Sequence, residues 1–433
     1  MANVKSTDTL VSLDIGTSKV LCLVADIDEK GELRIVGIGS EPCSGLNKGI
    51  ISDIDTTVSS IRRAKDKASL MSNCNIQSVT TGIAGNHIQS YNGNGAVNIL
   101  NDEVTEEDKQ KVLINAQNIQ IPNDQEILHA IEQHFTIDGQ PGIREPLGMA
   151  GSRLEANVHI ITTSSTAKKN LTKCINNSLL EINNYVLQPV ASSEAVLSDE
   201  ERDLGVCLID IGCGTTDVAI FTEGTIKHTA VIPMGSQMIT NDIRIILCTS
   251  LEAAEEIKIQ YGSVSSSEDM DMKIPVPSVS DKPDTETNRT TVSQIIAARV
   301  NEIFTAIQKE INDSGYASKI RAGLVFTGGG AKLDGLDNHA ESYFQSPSRI
   351  GSPKNIKGLE DLRGKTRYST AVGLLLYRER ELRKSSSNRH PSKMAKLINK
   401  ITKAGTANFR RLGIISTSLP GLILDYRQHQ DLK

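Results

Sequence analysis

The chain has 433 residues, 38% of them hydrophobic, and a formal net charge of −5. That length allows about two to four domains with substantial cores, and the acidic balance argues against nucleic-acid binding over the whole surface. Seven scattered cysteines, none of them in a Cys-x-x-Cys pair, indicate a reduced, cytosolic chain. The start lacks a signal-peptide pattern and no apolar run reaches the roughly 18 residues of a spanning helix, so we expect any membrane contact to be peripheral.

The first predicted element is a β-hairpin at residues 10–24 with a turn suited to a phosphate. An apolar strand ends in Asp-Ile-Gly at Asp14 to Gly16, a small polar turn follows, and a second apolar strand leaves. Glycine lets the backbone approach an anion, and the N–H groups and hydroxyls of Thr17 and Ser18 can donate to phosphate oxygens. The Asp14 carboxylate suits a Mg²⁺ ion that keeps most of its waters.

An inserted small α+β domain is predicted at residues 84–163, after a strand at 31–38 and a helix at 53–71. Its helix, at residues 103–116, follows a Thr105-x-x-Asp108 capping pattern. Strands flank this helix at residues 127–137 and 154–161, and two helices, at 166–180 and 192–201, lead out of the insert.

A second hairpin at residues 204–221 repeats the pattern of the first. It carries Asp-Ile-Gly at Asp210 to Gly212, then the hydroxyls of Thr215 and Thr216. One Asp-x-Gly turn is weak evidence, but two of them, each opening one half of the chain, predict a duplicated α/β domain with a nucleotide clamped between the halves.

The second half continues with helices and a glycine-rich turn. Helices are predicted at residues 235–247, 251–261 (behind Thr249-x-x-Glu252), 292–312 and 368–377, and residues 263–291 form a loop-rich stretch with one strand at 272–279. The strand at residues 322–327 runs into Gly328, Gly329, Gly330 and Ala331, and a glycine turn in that place allows close approach of a flat or anionic ligand.

The last fifty residues predict a membrane-binding helix. Residues 384–412 contain lysine and arginine but no acidic residue, and a Ser/Asn/Pro tether at 385–392 precedes an apolar stripe at helical spacing. This combination is typical of a helix lying in an anionic membrane surface. Its expected membrane-binding residues are Lys393, Met394, Lys396, Leu397, Ile398, Lys400, Ile401, Phe409, Arg410, Arg411 and Leu412.

Taken in order, the two hairpins, residues 326–336 and the helix at 369–377 resemble the nucleotide-binding fold of actin, sugar kinases and heat-shock chaperones. The insert narrows the resemblance, because residues 127–129, 133–137, 142–143, 146–149 and 151–162 look like the segment that sets the FtsA family of bacterial cell-division proteins apart from actin. The resemblance implies an α/β, duplicated actin-like (ribonuclease-H-like) two-lobed fold with an inserted small α+β subdomain.

The same resemblance implies a function. Relatives of this kind bind ATP with Mg²⁺, polymerise, bind FtsZ and other division proteins, and tie the division ring to the cytoplasmic face of the inner membrane at the septum, without nucleic acid. Nucleotide contacts are carried onto Gly16, Thr17, Ser18, Lys19, Gly212, Gly214, Thr215, Thr216, Glu255, Lys258, Gly328, Gly329, Gly330 and Ala331, with Asp14 and Asp210 ordering Mg²⁺ through water. Arg299 stands where such proteins meet FtsZ.

The implied domain limits follow the motifs. The first lobe comprises residues 1–83, 164–203 and 366–383, and the insert, expected to serve self-association, comprises residues 84–163. The second lobe comprises residues 204–232 and 300–365, and its FtsZ-contacting subdomain comprises residues 233–299. A linker at 384–392, the basic helix at 393–412 and an unassigned tail at 413–433 follow.

Two departures from the family pattern bear on chemistry. Cys213 stands where a second glycine is usual and is interpreted as a tolerated substitution. Gln188 occupies the region of a water-orienting glutamate, and a neutral amide cannot act as a general base, so ATP binding is better supported than turnover. A kinase or phosphatase of the same superfold, or a pilus-assembly relative, is the alternative.

Overall fold

The computed structural model describes residues 9–28, 32–265, 271–279, 283–354, 356–358, 362 and 364–389. The chain divides into two compact units, Met1–Glu379 and Arg380–Lys433. The sheets and the candidate site belong to the first unit. In the second, the described residues form the end of a helix.

The first lobe opens with the predicted hairpin and helix. Its elements are β1 (Thr9–Ile15), β2 (Lys19–Ile27), β3 (Leu33–Pro42), β4 (Leu46–Asn47), β5 (Ile50–Ile51), α1 (Ile54–Ser72) and β6 (Ser78–Ile83). The strands β1 and β2 are buried along most of their length, which is why they read as continuous apolar runs. Helix α1 begins where the Asp53 carboxylate accepts the N–H of Thr56 at 3.0 Å.

The insert is a four-stranded sheet covered by one helix. Its elements are β7 (Gln89–Asn98), α2 (Glu106–Gln117), β8 (Gln125–Ile137), β9 (Gln140–Ile143) and β10 (Arg153–Ser164), with sheet order β7-β10-β8-β9. The predicted cap is confirmed, because the N–H of Asp108 donates to Thr105 Oγ1 and the N–H of Thr105 donates to Asp108 Oδ2. Phe135, Leu154 and Val112 give the insert an apolar cluster of its own.

After the insert the chain returns to the first sheet through α3 (Ser165–Asn177) and β11 (Glu181–Leu187), then forms α4 (Gln188–Val196) and α5 (Asp199–Leu204). The single helix predicted at residues 192–201 is therefore wrong. Leu197 is extended, and Ser198 starts the second helix by forming a capping box with Glu201.

The second lobe repeats the hairpin and adds a helical subdomain. Its elements are β12 (Val206–Ile211), β13 (Thr216–Thr222), β14 (Thr225–Ile232), α6 (Ser236–Ile246), α7 (Leu251–Tyr261), β15 (Lys273–Val276), β16 (Thr285–Asn288), α8 (Arg289–Asp313), β17 (Leu324–Thr327), α9 (Leu336–Phe344) and β18 (Ser348–Ile350). The predicted strand at 272–279 is the first half of a hairpin whose second half, β16, the sequence analysis missed.

The capping residue predicted for α7 is wrong. The Ser250 hydroxyl accepts the N–H of Ala253 at 3.1 Å and caps the helix. The hydroxyl of Thr249 instead donates to the carbonyl of Pro277 at 2.7 Å, so it fastens the segment between β15 and β16 to the turn between α6 and α7.

The chain then rejoins the first lobe through β19 (Lys357–Gly358) and α10 (Ser369–Arg389). Because β19 pairs with β3, the return to the first lobe comes earlier than the predicted boundary at residue 366. Helix α10 also continues to Arg389, through part of the stretch interpreted as a tether.

The two main sheets show the duplication directly. The first has the order β11-β6-β1-β2-β3-β19 and the second β14-β13-β12-β17-β18. In both, an antiparallel three-strand meander continues into two parallel strands on the side of its first strand. The sheets place the ends of β1 and β12 at equivalent positions in their lobes.

A polar seam joins the insert to β14, the edge strand of the second sheet. The Ser90 hydroxyl donates to the carbonyl of Thr229 at 2.8 Å, and the Gln133 amide donates to the carbonyl of Ile226 at 2.8 Å. The buried ring of His159 lies 3.1 Å from the Thr229 hydroxyl through Nε2, and burial lowers its pKa to about 3, so the imidazole is neutral. The seam is made of hydrogen bonds from the insert to buried residues of one edge strand.

Candidate functional site

The two hairpin turns have the same backbone. In the first, the N–H of Gly16 donates to the carbonyl of Lys19 at 2.9 Å; in the second, the N–H of Gly212 donates to the carbonyl of Thr215 at 2.9 Å. Each turn follows an aspartate buried near the end of its strand, Asp14 in β1 and Asp210 in β12.

The turns also converge. A Cβ atom on Gly214, in the second turn, would lie 2.6 Å from Thr17 Oγ1 in the first turn and 3.1 Å from Lys48 Cα. Glycine, which has no Cβ atom, avoids this crowding between the two turns. The structure therefore brings the two predicted phosphate turns to one place, with backbone amides and hydroxyls from both.

Asp14 is a buried carboxylate with an amide partner. Gln188 Nε2 donates to its Oδ1 at 3.1 Å. Burial raises the pKa of Asp14 to about 6; Lys19 opposes this shift and the charge of Asp210 adds to it. The Asp210 contribution shows that the two carboxylates lie close enough to interact. Because burial disfavours the charged form of this carboxyl group, a cation bound beside it would stabilise that form.

Asp210 is held by two hydroxyls that the sequence analysis did not assign. Ser192 in α4 donates to its Oδ2 at 2.7 Å, and Thr370 in α10 donates to the same oxygen at 3.3 Å. Burial raises the pKa of Asp210, while these two bonds lower it. Both donors lie far from Asp210 in sequence, so no local pattern could reveal them.

A third carboxylate, Asp217, lies opposite Asp210 in the strand pair. It is buried, and its Oδ1 has no hydrogen-bond partner. Burial and then the charge of Asp210 raise its pKa well above the ordinary value. The sequence carried a signal that was missed, because a charged residue inside an apolar strand needs a partner or a role.

Lys19 supplies positive charge beside these carboxylates. Its ammonium donates to the carbonyl of Arg367 at 2.6 Å and lies 5.1 Å from the centre of the Tyr368 ring. Burial lowers its pKa to about 8, with Asp14 opposing and Arg367 adding to the shift. Lys332 also lowers the pKa of Lys19, so Arg367 and Lys332 are further cations near the site that the sequence analysis missed.

The glycine turn closes against the second hairpin. Gly328 has φ 87°, and a Cβ there would lie 2.2 Å from Asp210 Oδ1. The Thr366 hydroxyl donates to its carbonyl at 2.6 Å. Gly330 and Ala331 are buried in a short 3₁₀ turn, whereas Gly329 faces open space. The glycine turn thus leads into a 3₁₀ turn, and Gly329 is the member of the four with open space in front of it.

Glu255 and Lys258 lie together on α7, as expected from their spacing. Lys258 Nζ donates to Glu255 Oε2 at 2.7 Å, and both bond the Thr240 hydroxyl in α6. The first N–H groups of α6, from Ser236 and Gln237, donate to the carbonyls of the second turn at 2.9 Å. The pair is therefore linked to the phosphate turn through one helix.

Cys213 has the environment of an unreactive thiol. Its Sγ lies 3.1 Å from Gln237 Oε1, and burial raises its pKa. A thiol reacts as the thiolate, so this setting supports the interpretation of a tolerated substitution.

Arg299, the predicted partner-binding residue, is engaged within the subdomain. Its guanidinium forms two hydrogen bonds to Asp242, at 2.6 and 2.9 Å, and one to Glu302 at 2.5 Å. The Asp242 bonds raise its pKa. Arg299 therefore joins α8 to α6, and 19% of its side chain is exposed.

The expected membrane-binding residues, from Lys393 to Leu412, lie outside the described residues, as does the tail at 413–433. Within the described ranges, no helix has the length and apolar character to cross a bilayer. No group of three or more His, Cys, Asp or Glu side chains there could hold a metal ion directly. Asp14 and Asp210 could therefore hold Mg²⁺ only together with water and phosphate oxygens.

Two family models match the chain, Cell division protein FtsA over residues 207–373 and the SHS2 domain inserted in FTSA over residues 85–162. A cell division protein FtsA from Pseudomonas aeruginosa is 47% identical over 378 residues, covering 87% of this chain and 91% of that protein. The chain belongs to the FtsA family of cell-division proteins. A second FtsA, from Neisseria meningitidis serogroup B, is 46% identical over 365 residues and covers 84% and 88% of the two chains.

Solved structures with the same fold confirm the actin-like architecture of this FtsA-family chain. The PilM–PilN type IV pilus biogenesis complex matches with TM-score 0.61 and 15% identity, over 86% of this chain and 98% of that one. MreB5 of Spiroplasma citri bound to ADP matches with TM-score 0.54 and 16% identity, over 88% and 98%. The MamK double helical filament matches with TM-score 0.51 and 12% identity, over 86% and 98%. At these identities the likeness shows the fold alone.

Proposed function

We propose that this chain binds ATP with Mg²⁺ between its two lobes, self-associates into filaments, and anchors FtsZ to the cytoplasmic face of the inner membrane at the division septum. The observation that carries the nucleotide part is the convergence of the two turns at Gly214 and Thr17. Membership of a cell-division family and the actin-like fold support the rest. MreB5, which shares this fold, is described as bound to ADP, and MamK as a filament.

In this proposal, different residues contact different parts of the nucleotide. Backbone N–H groups and hydroxyls of Gly16, Thr17, Ser18, Gly212, Gly214, Thr215 and Thr216 donate to the phosphates, and Lys19 adds charge. Asp14 and Asp210 order the waters of Mg²⁺. Glu255 and Lys258 face the ribose and base, and the glycine turn, through Gly329, covers the base. When bound, Mg²⁺ neutralises phosphate charge.

Turnover is proposed to be weak or absent. The Gln188 amide, at the position where a general base is expected, donates to Asp14. Since an amide cannot remove a proton from water, ATP acts in this proposal as a structural and regulatory ligand.

Titration of the purified chain with ATP in the presence of Mg²⁺ tests the nucleotide site. Asp210→Ala should weaken binding by roughly tenfold or more, because Mg²⁺·ATP loses a carboxylate that orders its water shell. Lys309→Ala, on the exposed face of α8, is the control and should bind like the wild type. Absence of ATP binding by the wild type would refute the proposal.

Vesicle co-sedimentation tests the membrane anchor. Deleting residues 391–412 should release the chain from anionic vesicles, and the full chain with ATP should recruit FtsZ filaments to them. A single helix of this kind binds weakly, so many copies on a filament would gain by avidity. Unchanged sedimentation of the deletion variant would defeat this part.

The proposed contact of Arg299 with FtsZ needs a test that separates it from the ion pairs. Arg299→Ala should lose FtsZ binding, whereas Asp242→Asn, which loosens the guanidinium but keeps its charge, should retain binding. Equal losses in the two variants would mean that Arg299 serves only to hold α8 against α6.

The alternatives are less supported. The match to the PilM–PilN complex rests on the fold alone, whereas the sequence relatives are FtsA proteins over most of their length. A metabolic kinase of the same superfold should turn over ATP rapidly with a small-molecule acceptor, and that result would reopen the question.

A further inference from the structure

The short hairpin of β4 and β5 carries an unusual backbone at its tip. Asn47 pairs with Ile50, so Lys48 and Gly49 are the two residues of the loop, and both have positive φ, 47° and 78°. This is the pattern of a type I′ turn, which favours Asn, Asp or Gly at both positions. Lysine is uncommon in the left-handed region, where its Cβ crowds the following carbonyl oxygen, so its presence there calls for a reason.

The tip of this hairpin lies against both phosphate turns. The N–H of Gly49 donates to Thr17 Oγ1 at 3.3 Å in the first turn. Lys48 Cα lies 3.1 Å from the place of a Gly214 Cβ in the second turn. On the far side, a Cβ on Gly49 would lie 3.0 Å from the Cα of Gly85, so the tip is held in place from behind.

Lys48 is exposed and, within the ranges that the structure describes, forms no hydrogen bond or ion pair. Lys19, a second lysine beside the turns, already donates to the carbonyl of Arg367. An ammonium on a four-carbon stem that begins between two anion-binding turns can reach an oxygen held by either of them.

The hairpin also prepares Thr17. Because the N–H of Gly49 occupies a lone pair of Thr17 Oγ1, the hydroxyl proton remains available to donate to an anion. One tight turn thus orients a donor and presents a charge at the same point.

We propose that Lys48 is a phosphate-binding residue that contacts the terminal phosphate group of a nucleoside triphosphate, where the two turns meet. This inference rests on the proposed nucleotide site. Lys48 would bind last along the phosphate chain, and so would favour a triphosphate over a diphosphate.

Isothermal titration with ATP and ADP, each with Mg²⁺, tests the inference on the full chain. Lys48→Asn removes the charge but places Asn-Gly, the preferred type I′ pair, in the turn, so loss of folding is not expected. It should weaken ATP binding by about tenfold, the low end for a charge-assisted hydrogen bond, and leave ADP binding within about twofold. Lys48→Arg, which keeps the charge, should recover most of the ATP affinity.

Lys309→Asn is the matched control, because it removes the same charge from an exposed helix position and should change neither affinity. Equal affinity of Lys48→Asn and wild type for ATP would overturn the inference while leaving the nucleotide site standing. A wild type that binds neither nucleotide would instead overturn the proposed function. Equal weakening for ATP and ADP would place Lys48 at an inner phosphate and would also contradict the inference.

Discussion

The two aspartate hairpins share one backbone turn but hold their carboxylates differently. Asp14 lies opposite Leu21 in its strand pair, accepts one amide from Gln188, and has the cation of Lys19 nearby. Asp210 lies opposite a second carboxylate, Asp217, and accepts two hydroxyls. The two hairpins therefore share the geometry of the turn but differ in the groups that support each aspartate.

The two hairpins also differ in how closely they are packed. The second hairpin is closed in by the glycine turn, which fits against Asp210 so tightly that no side chain is allowed at Gly328. The first hairpin keeps the exposed Ser18 and lies beside the hairpin of Lys48. The second hairpin is therefore packed closely against the glycine turn, whereas the first hairpin keeps an exposed polar turn.

The close packing of the glycine turn against the second hairpin predicts the largest mutational effect. Gly328→Ala should lower the free energy of unfolding by about 3 kcal/mol or more, because its Cβ would lie 2.2 Å from Asp210 Oδ1 and 2.6 Å from the carbonyl oxygen of Ile211 at a backbone φ of 87°. Urea denaturation measures the loss. Gly329→Ala is the control, since no atom lies within 4 Å of its Cβ, and equal losses in both variants would break the contrast.

The charge balance of the first hairpin predicts a pH dependence. The folded Asp14 keeps its proton up to about pH 6, whereas the unfolded carboxyl loses it near 3.8. Its contribution is therefore fully present below pH 3.8 and is lost as the pH rises through 6, a decrease of about 3 kcal/mol in the free energy of unfolding. Unfolding measured from pH 3.5 to 7.5 checks this.

Asp14→Asn provides the comparison for that pH series. It is neutral throughout and should remove the decrease, and it should be more stable than the wild type above pH 6 when Mg²⁺ and nucleotide are left out. A wild-type slope that survives unchanged in Asp14→Asn would assign the titration to another buried group, with Asp210 and Asp217 as the first to examine.

The two hydroxyl groups that donate to Asp210 predict the smallest effects, and the lengths of their hydrogen bonds predict which effect is larger. Ser192→Ala removes a 2.7 Å bond and should cost about 1–2 kcal/mol in unfolding free energy, while Thr370→Ala removes a 3.3 Å bond and should cost roughly 0.5–1 kcal/mol. Thermal unfolding at one pH is sufficient. A larger loss for Thr370→Ala would mean that α10, not α4, positions this carboxylate.

Local patterns predicted the parts of the site that are contiguous in sequence. The hairpins of Asp14 and Asp210 were predicted because strand, turn and strand follow one another within a few residues, and the Thr105 cap because both partners lie on one helical turn. Two caps were assigned wrongly or missed. At α7, the hydroxyl of Ser250 forms the cap in place of its neighbour Thr249. At α5, Ser198 starts a second helix after a break in the predicted single helix.

Long-range partners could not be predicted in the same way. Ser192 and Thr370 contact Asp210 only because α4 and the start of α10 return to this place. Arg367 meets Lys19 in the turn just before α10, and Lys48 comes close only because its hairpin reaches the turns. The family resemblance supplied the fold and a list of expected contacts, but it did not show which glycines are buried supports and which, like Gly329, face open space.

The seam between the insert and β14 has a consequence for how copies of this chain can associate. An edge strand with open carbonyls invites another strand to add to the sheet. Here the carbonyls of Ile226 and Thr229 are occupied by the side chains of Gln133 and Ser90. Growth of the second sheet from one molecule into the next is therefore closed off at the β14 edge.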